Sequence, residues 1–220
     1  MAMKHAVITG GSSGIGRAIA QRLWQRGYHL TLMARTPELL AEAKASFLEL
    51  PHEASQTILT LSVDVSQRQQ VTDAFEQSLD RIGPIELLIN SAGTAVPGDF
   101  LAQPLAVSEA TMAVNFFGSL YSAYAVLPNM ARRGRGQLVF ISSGVGLIGL
   151  YGYASYCPSK FAVRGLAESL RAEMKPLGIA VSIVYPPDTD TPQLEQENQT
   201  KPLVTQRLSS SAQVLSAEQV

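Results

Sequence analysis

Thr9-Gly10-Gly11-Ser12-Ser13-Gly14-Ile15-Gly16 is the stretch on which the fold turns. It sits between an apolar, strand-like run at 6–9 and an amphipathic, helix-like stretch at 15–26. Glycine tolerates the tight backbone path such a turn needs and lets a ligand's phosphates approach the main chain. Free amides and the dipole at the start of the helix favour negative charge, so a pyrophosphate is the ligand expected here. Gly10, Ser12, Ser13, Gly14, Ile15 and Gly16 are therefore candidate cofactor-binding residues. A glycine triplet alone is equally a simple turn, and its place between strand and helix is what gives it meaning.

Working outward, short β-branched runs alternate with longer amphipathic stretches, the pattern of repeated strand and helix units around a parallel sheet. Strands are expected at 6–9, 29–34, 58–63, 85–90, 137–142 and 180–185, and helices at 15–26, 37–50, 67–82, 109–132 and 161–175. The fold class is α/β: one Rossmann-type doubly wound sheet of order 3-2-1-4-5-6 with helices on both faces. Ligands of such sheets sit beyond the carboxyl ends of the strands, so functional residues should follow strands. The segment 188–211 is polar and without helical period, and reads as a substrate loop or lid. Ser216-Ala217-Glu218-Gln219 reads as a capped helix start.

The 220 residues suit a single domain spanning 1–220. With 17 basic against 18 acidic residues the net charge is -1, which excludes an electrostatic grip on nucleic acid. The basic cluster Arg132, Arg133 and Arg135 can touch anionic lipid headgroups but reads more readily as a solvated loop. A lone cysteine, Cys157, forms no intrachain disulfide and fits a reducing, cytoplasmic setting. The amino terminus leaves no room for a secretion signal, and the longest apolar run, 144–154, is short of the roughly 20 residues a membrane span needs. No metal site is expected.

Arg35 ends the second strand, where an adenosine ribose would lie and where enzymes of the unphosphorylated cofactor carry an acid. A guanidinium binds a 2′-phosphate bidentately, so the expected cofactor is NADPH/NADP, with Ser12 or Ser13 as a further donor. A surface arginine at a helix entrance is the plainer reading. Asp64, after the third strand, can accept from an adenine amino group or can simply cap a helix.

Tyr156 and Lys160 stand four residues apart and share a helix face. Pro158 is compatible with that helix if it lies in the first turn, with Tyr156 at the start. An ammonium beside the phenol favours tyrosinate, so Lys160 is expected to lower the Tyr156 pKa and to hold ribose hydroxyls. Ser143 follows the fifth strand and is placed to hydrogen-bond a substrate oxygen as charge develops. Asn115, on a helix facing the same cleft, has an amide that can hold a proton-relaying water. Singly, the serines are common turn formers and a tyrosine four before a lysine is an ordinary coincidence.

Jointly, the glycine turn, Asn90-Ser91-Ala92-Gly93, Asn115, Ser143, Tyr156 and Lys160 resemble the short-chain dehydrogenase/reductase superfamily from the first strand to about Pro192. The resemblance implies hydride transfer coupled to proton transfer. It makes Asn115, Ser143, Tyr156 and Lys160 catalytic, and sets Val65, Asn90, Ala92, Gly93, Pro186, Thr189 and Thr191 along the cofactor with Tyr156 and Lys160. Two departures stand out. Ser91 replaces the usual second asparagine, and Pro186-Pro187 replaces a proline-glycine pair. Family members continue into a seventh strand, which this chain is expected to lack.

Tyr185-Pro186-Pro187-Asp188-Thr189-Asp190-Thr191-Pro192, then Glu197-Asn198 and Thr200-Lys201-Pro202-Leu203, resemble the 3-ketodihydrosphingosine reductases within that superfamily. The implied reaction is NADPH-dependent reduction of a 3-keto sphingoid base, and the implied partner is a small-molecule lipid substrate. Val145, Leu147, Ile148, Leu150, Tyr151 and Tyr153 can line a groove for its tail or can be ordinary packing, and Asp188 or Asp190 can pair with its ammonium or cap turns. A reductase of another lipid or steroid carbonyl, and a cofactor-binding protein without turnover, remain as alternatives. Relatives attach to the endoplasmic reticulum, so contact with the cytosolic face of a membrane, and self-association into a homo-oligomer, are left open.

Overall fold

A computed structural model describes residues 3–209 and 213–220 of the chain. Six parallel strands form one sheet in the order β3-β2-β1-β4-β5-β6: β1 (His5–Thr9), β2 (His29–Ala34), β3 (Ile58–Ser62), β4 (Ile85–Asn90), β5 (Gly136–Ile141) and β6 (Ile179–Val184). The order is the one expected. The chain reverses direction across the sheet between β1 and β4, which opens the crevice where ligands of such sheets bind.

Successive side chains of a strand point to opposite faces, and β1 shows both cores within three residues. Ala6 and Ile8 pack with Trp24 of α1 (Gly14–Gln25) and Leu40 and Phe47 of α2 (Pro37–Leu48). Val7 packs on the other face with Phe75 of α3 (Arg68–Ile82), then past α4 (Leu105–Met112) with Val126 and Met130 of α5 (Gly118–Arg133) and Val163 of α6 (Cys157–Met174). Fully burying each of the Val, Leu, Ile, Met and Phe side chains among these contributes about 1.5–3 kcal/mol.

Three differences from the expected elements have local causes. The helix expected at 109–132 begins at Leu105 and carries a π-helical turn at Ala113–Phe117 around Asn115. By length and composition the continuous stretch Leu105–Arg133 could cross a membrane, but here Ser119, Ala123, Val126 and Met130 are buried within the protein. The polar segment 188–211 is not a plain loop. It holds a short strand β7 (Thr189–Asp190), then α7 (Pro192–Thr200) and α8 (Leu203–Ser209); residues 210 and 211 lie outside the described residues. Helix α7 starts where Thr191 accepts a hydrogen bond from Leu194 N–H, with Pro192 preset for the first turn. At Ser216-Ala217-Glu218-Gln219 there is a single turn after β8 (Leu215–Ser216). Ser216 N–H donates to Gln219 Oε1 at 2.8 Å, half of a capping box.

The basic cluster is not simply solvated. Arg133 bonds Glu86 and the Ile85 carbonyl, and Arg135 pairs with Glu86 at 3.2 Å.

Candidate active site

The glycine turn is shaped by contacts no side chain could survive. Gly10 has φ +70°, and a Cβ there would lie 2.8 Å from the Ala92 amide; a Cβ on Gly16 would lie 2.3 Å from the Gly10 carbonyl. The turn, the strand end at Ala92-Gly93 and the start of α1 are thereby pressed together around a cavity of about 420 Å³. Ser13 occupies the N-cap position of α1 without capping through its side chain, so its hydroxyl is left for a ligand. The backbone is therefore a cradle in which phosphates fit, at a helix amino end that favours their charge.

Gly10, Ser12, Ser13, Gly14, Ile15, Gly16, Arg35, Asp64 and Val65 line this cavity at one end. Ala92, Gly93, Ser143, Tyr156, Lys160, Pro186, Thr189 and Thr191 continue it to the other. Arg35 is exposed and in no ion pair among the described residues. Asp64 spends Oδ1 on its own turn, accepting from the Ser66 amide at 3.0 Å and the Ser66 hydroxyl at 2.8 Å. Thr191 closes over the turn, since a Cβ on Gly14 would meet its methyl at 3.0 Å.

Two expected residues stand behind the cavity. Asn90 is buried at the end of β4 with both amide atoms unpartnered, and its side chain is not part of the lining. Asn115 commits both amide hydrogens, and one acceptor position of Oδ1, to protein partners. Its Nδ2 donates to the Thr94 carbonyl at 3.0 Å and to Ser159 Oγ at 2.9 Å, and its Oδ1 accepts from the Thr94 amide at 2.8 Å. Ser159 donates in turn to the Tyr156 carbonyl at 2.7 Å, so Asn115 braces the helix start that carries Tyr156.

Tyr156 lies at the N-cap position of α6, with Pro158 in the first turn as its sequence predicts. Lys160 Nζ sits 5.5 Å from the Tyr156 ring centroid and donates to the Ile141 carbonyl at 3.0 Å. Burial lowers the Lys160 pKa to about 8, opposed by the Glu197 carboxylate. The expectation that Lys160 depresses the Tyr156 pKa is not met. Burial, and then the charge of Glu197, push it well above the ordinary tyrosine value; the polar groups of Ser143 and Gln193 oppose this more weakly. The burial that raises its pKa favours the neutral phenol of Tyr156, which lies in the same cavity as Ser143.

Sequence reading missed the roof. Gln193 and Glu197 share one face of α7 and bond each other, Nε2 to Oε1, at 2.8 Å. Glu197 Oε2 accepts from Tyr153 Oη at 2.8 Å, and the Tyr153 ring meets that of Tyr156 edge-on. The available signal was Thr191-Pro192, a cap followed by a first-turn proline, which places Gln193 and Glu197 one helical turn apart. Of the residues expected to form an apolar groove, Val145, Leu150 and Tyr153 line the cavity, whereas Leu147, Ile148 and Tyr151 are exposed outside it. Asp188 lines it too, 3.8 Å from Lys201 Nζ, while Asp190 is exposed and absent from it.

A parallel sheet of order 3-2-1-4-5-6, a glycine cradle at its crossover and a Ser143, Tyr156 and Lys160 cluster beyond its strand ends define a dinucleotide-binding α/β protein with an acid–base site. The chain belongs to the short chain dehydrogenase family, whose model matches residues 4–202. It is 43% identical over 217 residues to the 3-ketodihydrosphingosine reductase of Mus musculus, covering 98% of this chain and 65% of that protein. It is 40% identical over 234 residues to that of Dictyostelium discoideum, covering 99% and 69%. The chain thus spans about two thirds of the length of these relatives. Among solved structures, levodione reductase superposes with a TM-score of 0.88 at 28% identity, covering 98% of this chain and 86% of that one. A short-chain dehydrogenase from Sphingobium yanoikuyae in complex with NADPH gives 0.85 at 29% identity, covering 99% and 80%.

Proposed function

We propose that the protein is an NADPH-dependent reductase of 3-ketodihydrosphingosine, yielding dihydrosphingosine, with Tyr156 as the proton donor. The observation that carries the reading is a buried Tyr156 beside Ser143, in one cavity with the glycine cradle. The relatives named 3-ketodihydrosphingosine reductase support the substrate class, and the NADPH-bound neighbour supports the cofactor.

The turn at Gly10 to Gly16 would hold the pyrophosphate, Arg35 a 2′-phosphate, and Lys160 the ribose nearest the reacting end. Bound there, NADPH supplies the hydride. Ser143 orients the substrate carbonyl and donates to its oxygen as negative charge grows. Tyr156 delivers its proton to that oxygen, and Lys160, buried and cationic below a pH of about 8, stabilises the phenolate left behind. Asn115 and Ser159 keep Tyr156 in place. Tyr151 Oη donates to Asp99 at 2.7 Å and Thr205 Oγ1 to the Tyr151 carbonyl at 2.7 Å. Those contacts gather three segments that expose Phe100, Leu101, Ile148, Leu203 and Val204, a surface suited to an aliphatic chain.

The test follows loss of NADPH absorbance with 3-ketodihydrosphingosine in mixed micelles. Turnover is expected with wild type, and Tyr156→Phe should lose roughly 10²- to 10⁴-fold in kcat/KM while still binding NADPH. Undiminished turnover in that variant would remove Tyr156 from the proton-donor role, and NADPH binding without turnover by wild type would overturn the substrate.

A further inference from the structure

Glu197 is 8% exposed, yet it belongs to no ion pair among the described residues. Lys160 feels the Glu197 charge from beyond ion-pair distance, so the carboxylate is buried with no cation in contact, and buried carboxylates are ordinarily paired. The two aspartates considered for a cationic ligand are less suitable. Asp188 already faces Lys201 at 3.8 Å, and Asp190 is outside the cavity. Glu197 accepts one hydrogen bond on each oxygen, from Tyr153 at 2.8 Å and Gln193 at 2.8 Å. An ionised carboxylate has about four acceptor positions, so roughly half of its capacity is unused. Tyr153 and Gln193 also fix the carboxylate's orientation, and both line the cavity that holds Tyr156. Gln193 also acts on the Tyr156 phenol, so one side chain links the carboxylate to the acid.

We propose that Glu197, set by Tyr153 and Gln193, is the subsite for a primary ammonium carried on the carbon next to the carbonyl that Tyr156 protonates. The proposal rests on the substrate class given above and adds the group that would recognise it. An α-amino ketone places its cation two carbons from the reacting oxygen, so a single bound substrate engages Ser143, Tyr156 and Glu197 together. The ammonium also offsets the Glu197 charge, which after burial is the next influence raising the Tyr156 pKa, so binding the correct substrate makes the acid a readier donor. A neutral ketone gives neither effect, and the site thereby discriminates amines from their acylated forms.

Two experiments separate this subsite from the substrate reading. In the first, kcat/KM is measured for 3-ketodihydrosphingosine and for its N-acetyl analogue, with wild type and Glu197→Gln. The amine should lose roughly tenfold to hundredfold more than the analogue. Equal losses for both would assign Glu197 to positioning Tyr153 and Tyr156 and overturn the proposal. In the second, calorimetry follows n-octylamine and n-octanol binding to the NADP-loaded wild-type protein, which needs neither turnover nor a folded variant. Tighter binding of the amine supports the subsite even if the sphingoid ketone is not reduced, in which case only the substrate reading falls. Equal binding of amine and alcohol overturns the subsite even if that ketone is reduced.

Discussion

Arg35 stands exposed at the carboxyl end of β2, lining the cavity and free of any ion pair among the described residues. A cation left unpaired at the ribose end of a dinucleotide cleft is suited to a phosphate. Removing it should therefore weaken NADPH and spare NADH. Arg35→Ala is expected to raise the Kd for NADPH roughly tenfold to hundredfold, read by cofactor fluorescence, with NADH almost unchanged. Equal weakening of both cofactors would make Arg35 a structural residue. The residue types of the site were legible because their order along the chain and their position after strands carry the chemistry. Their electrostatics were not. The Tyr156 pKa is governed by burial and by Glu197, forty-one residues away in sequence, so a reading of Tyr156 and Lys160 alone took the sign wrongly.

At the scale of elements, His5 joins β1, β2 and α3. Its Nδ1 donates to the Gly83 carbonyl at 2.9 Å, and its Nε2 lies 2.9 Å from Thr31 Oγ1, which bonds Ser78 Oγ at 2.7 Å. The Gly83 carbonyl only accepts, so Nδ1 carries the proton and Nε2 accepts from a hydroxyl. Burial lowers the His5 pKa to about 4 from 6.5. The unfolded chain then binds the extra proton more readily, so this contribution to stability is present above pH 6.5 and is lost as pH falls towards 4. It amounts to about 3 kcal/mol at most. Urea unfolding midpoints should fall across that window, and the fall should shrink in His5→Gln; an identical slope in the variant would contradict the assignment. Thr191 makes a second element-scale case. Thr191→Ala removes the cap of α7 and should cost about 1 kcal/mol locally. Amide exchange should quicken across 192–200 with the sheet amides unaffected, whereas faster exchange throughout would show that α7 is not an independent unit. Strands and the long helices were legible from their periods because each buries one face against the sheet. Helices α7 and α8 were not, because their composition is polar and their order comes from a cap, a proline and contacts with the 150s loop.

For the whole molecule, the sheet order follows from alternating units and right-handed crossovers, which is why the architecture was readable before any contact was known. The roof of the site was hidden by the same logic. It depends on where α7 lands, and no period in the sequence specifies that. The resulting enclosure puts the glycine cradle, the buried Tyr156 phenol and a buried carboxylate in one cavity of about 420 Å³. The central claim is that this cavity couples NADPH oxidation to reduction of a sphingoid ketone. The most direct test supplies NADPH deuterated at the nicotinamide C4 together with 3-ketodihydrosphingosine and identifies the product by mass spectrometry. The account predicts dihydrosphingosine bearing deuterium on its carbinol carbon. Unlabelled product, or unchanged ketone alongside oxidation of NADPH, would contradict it.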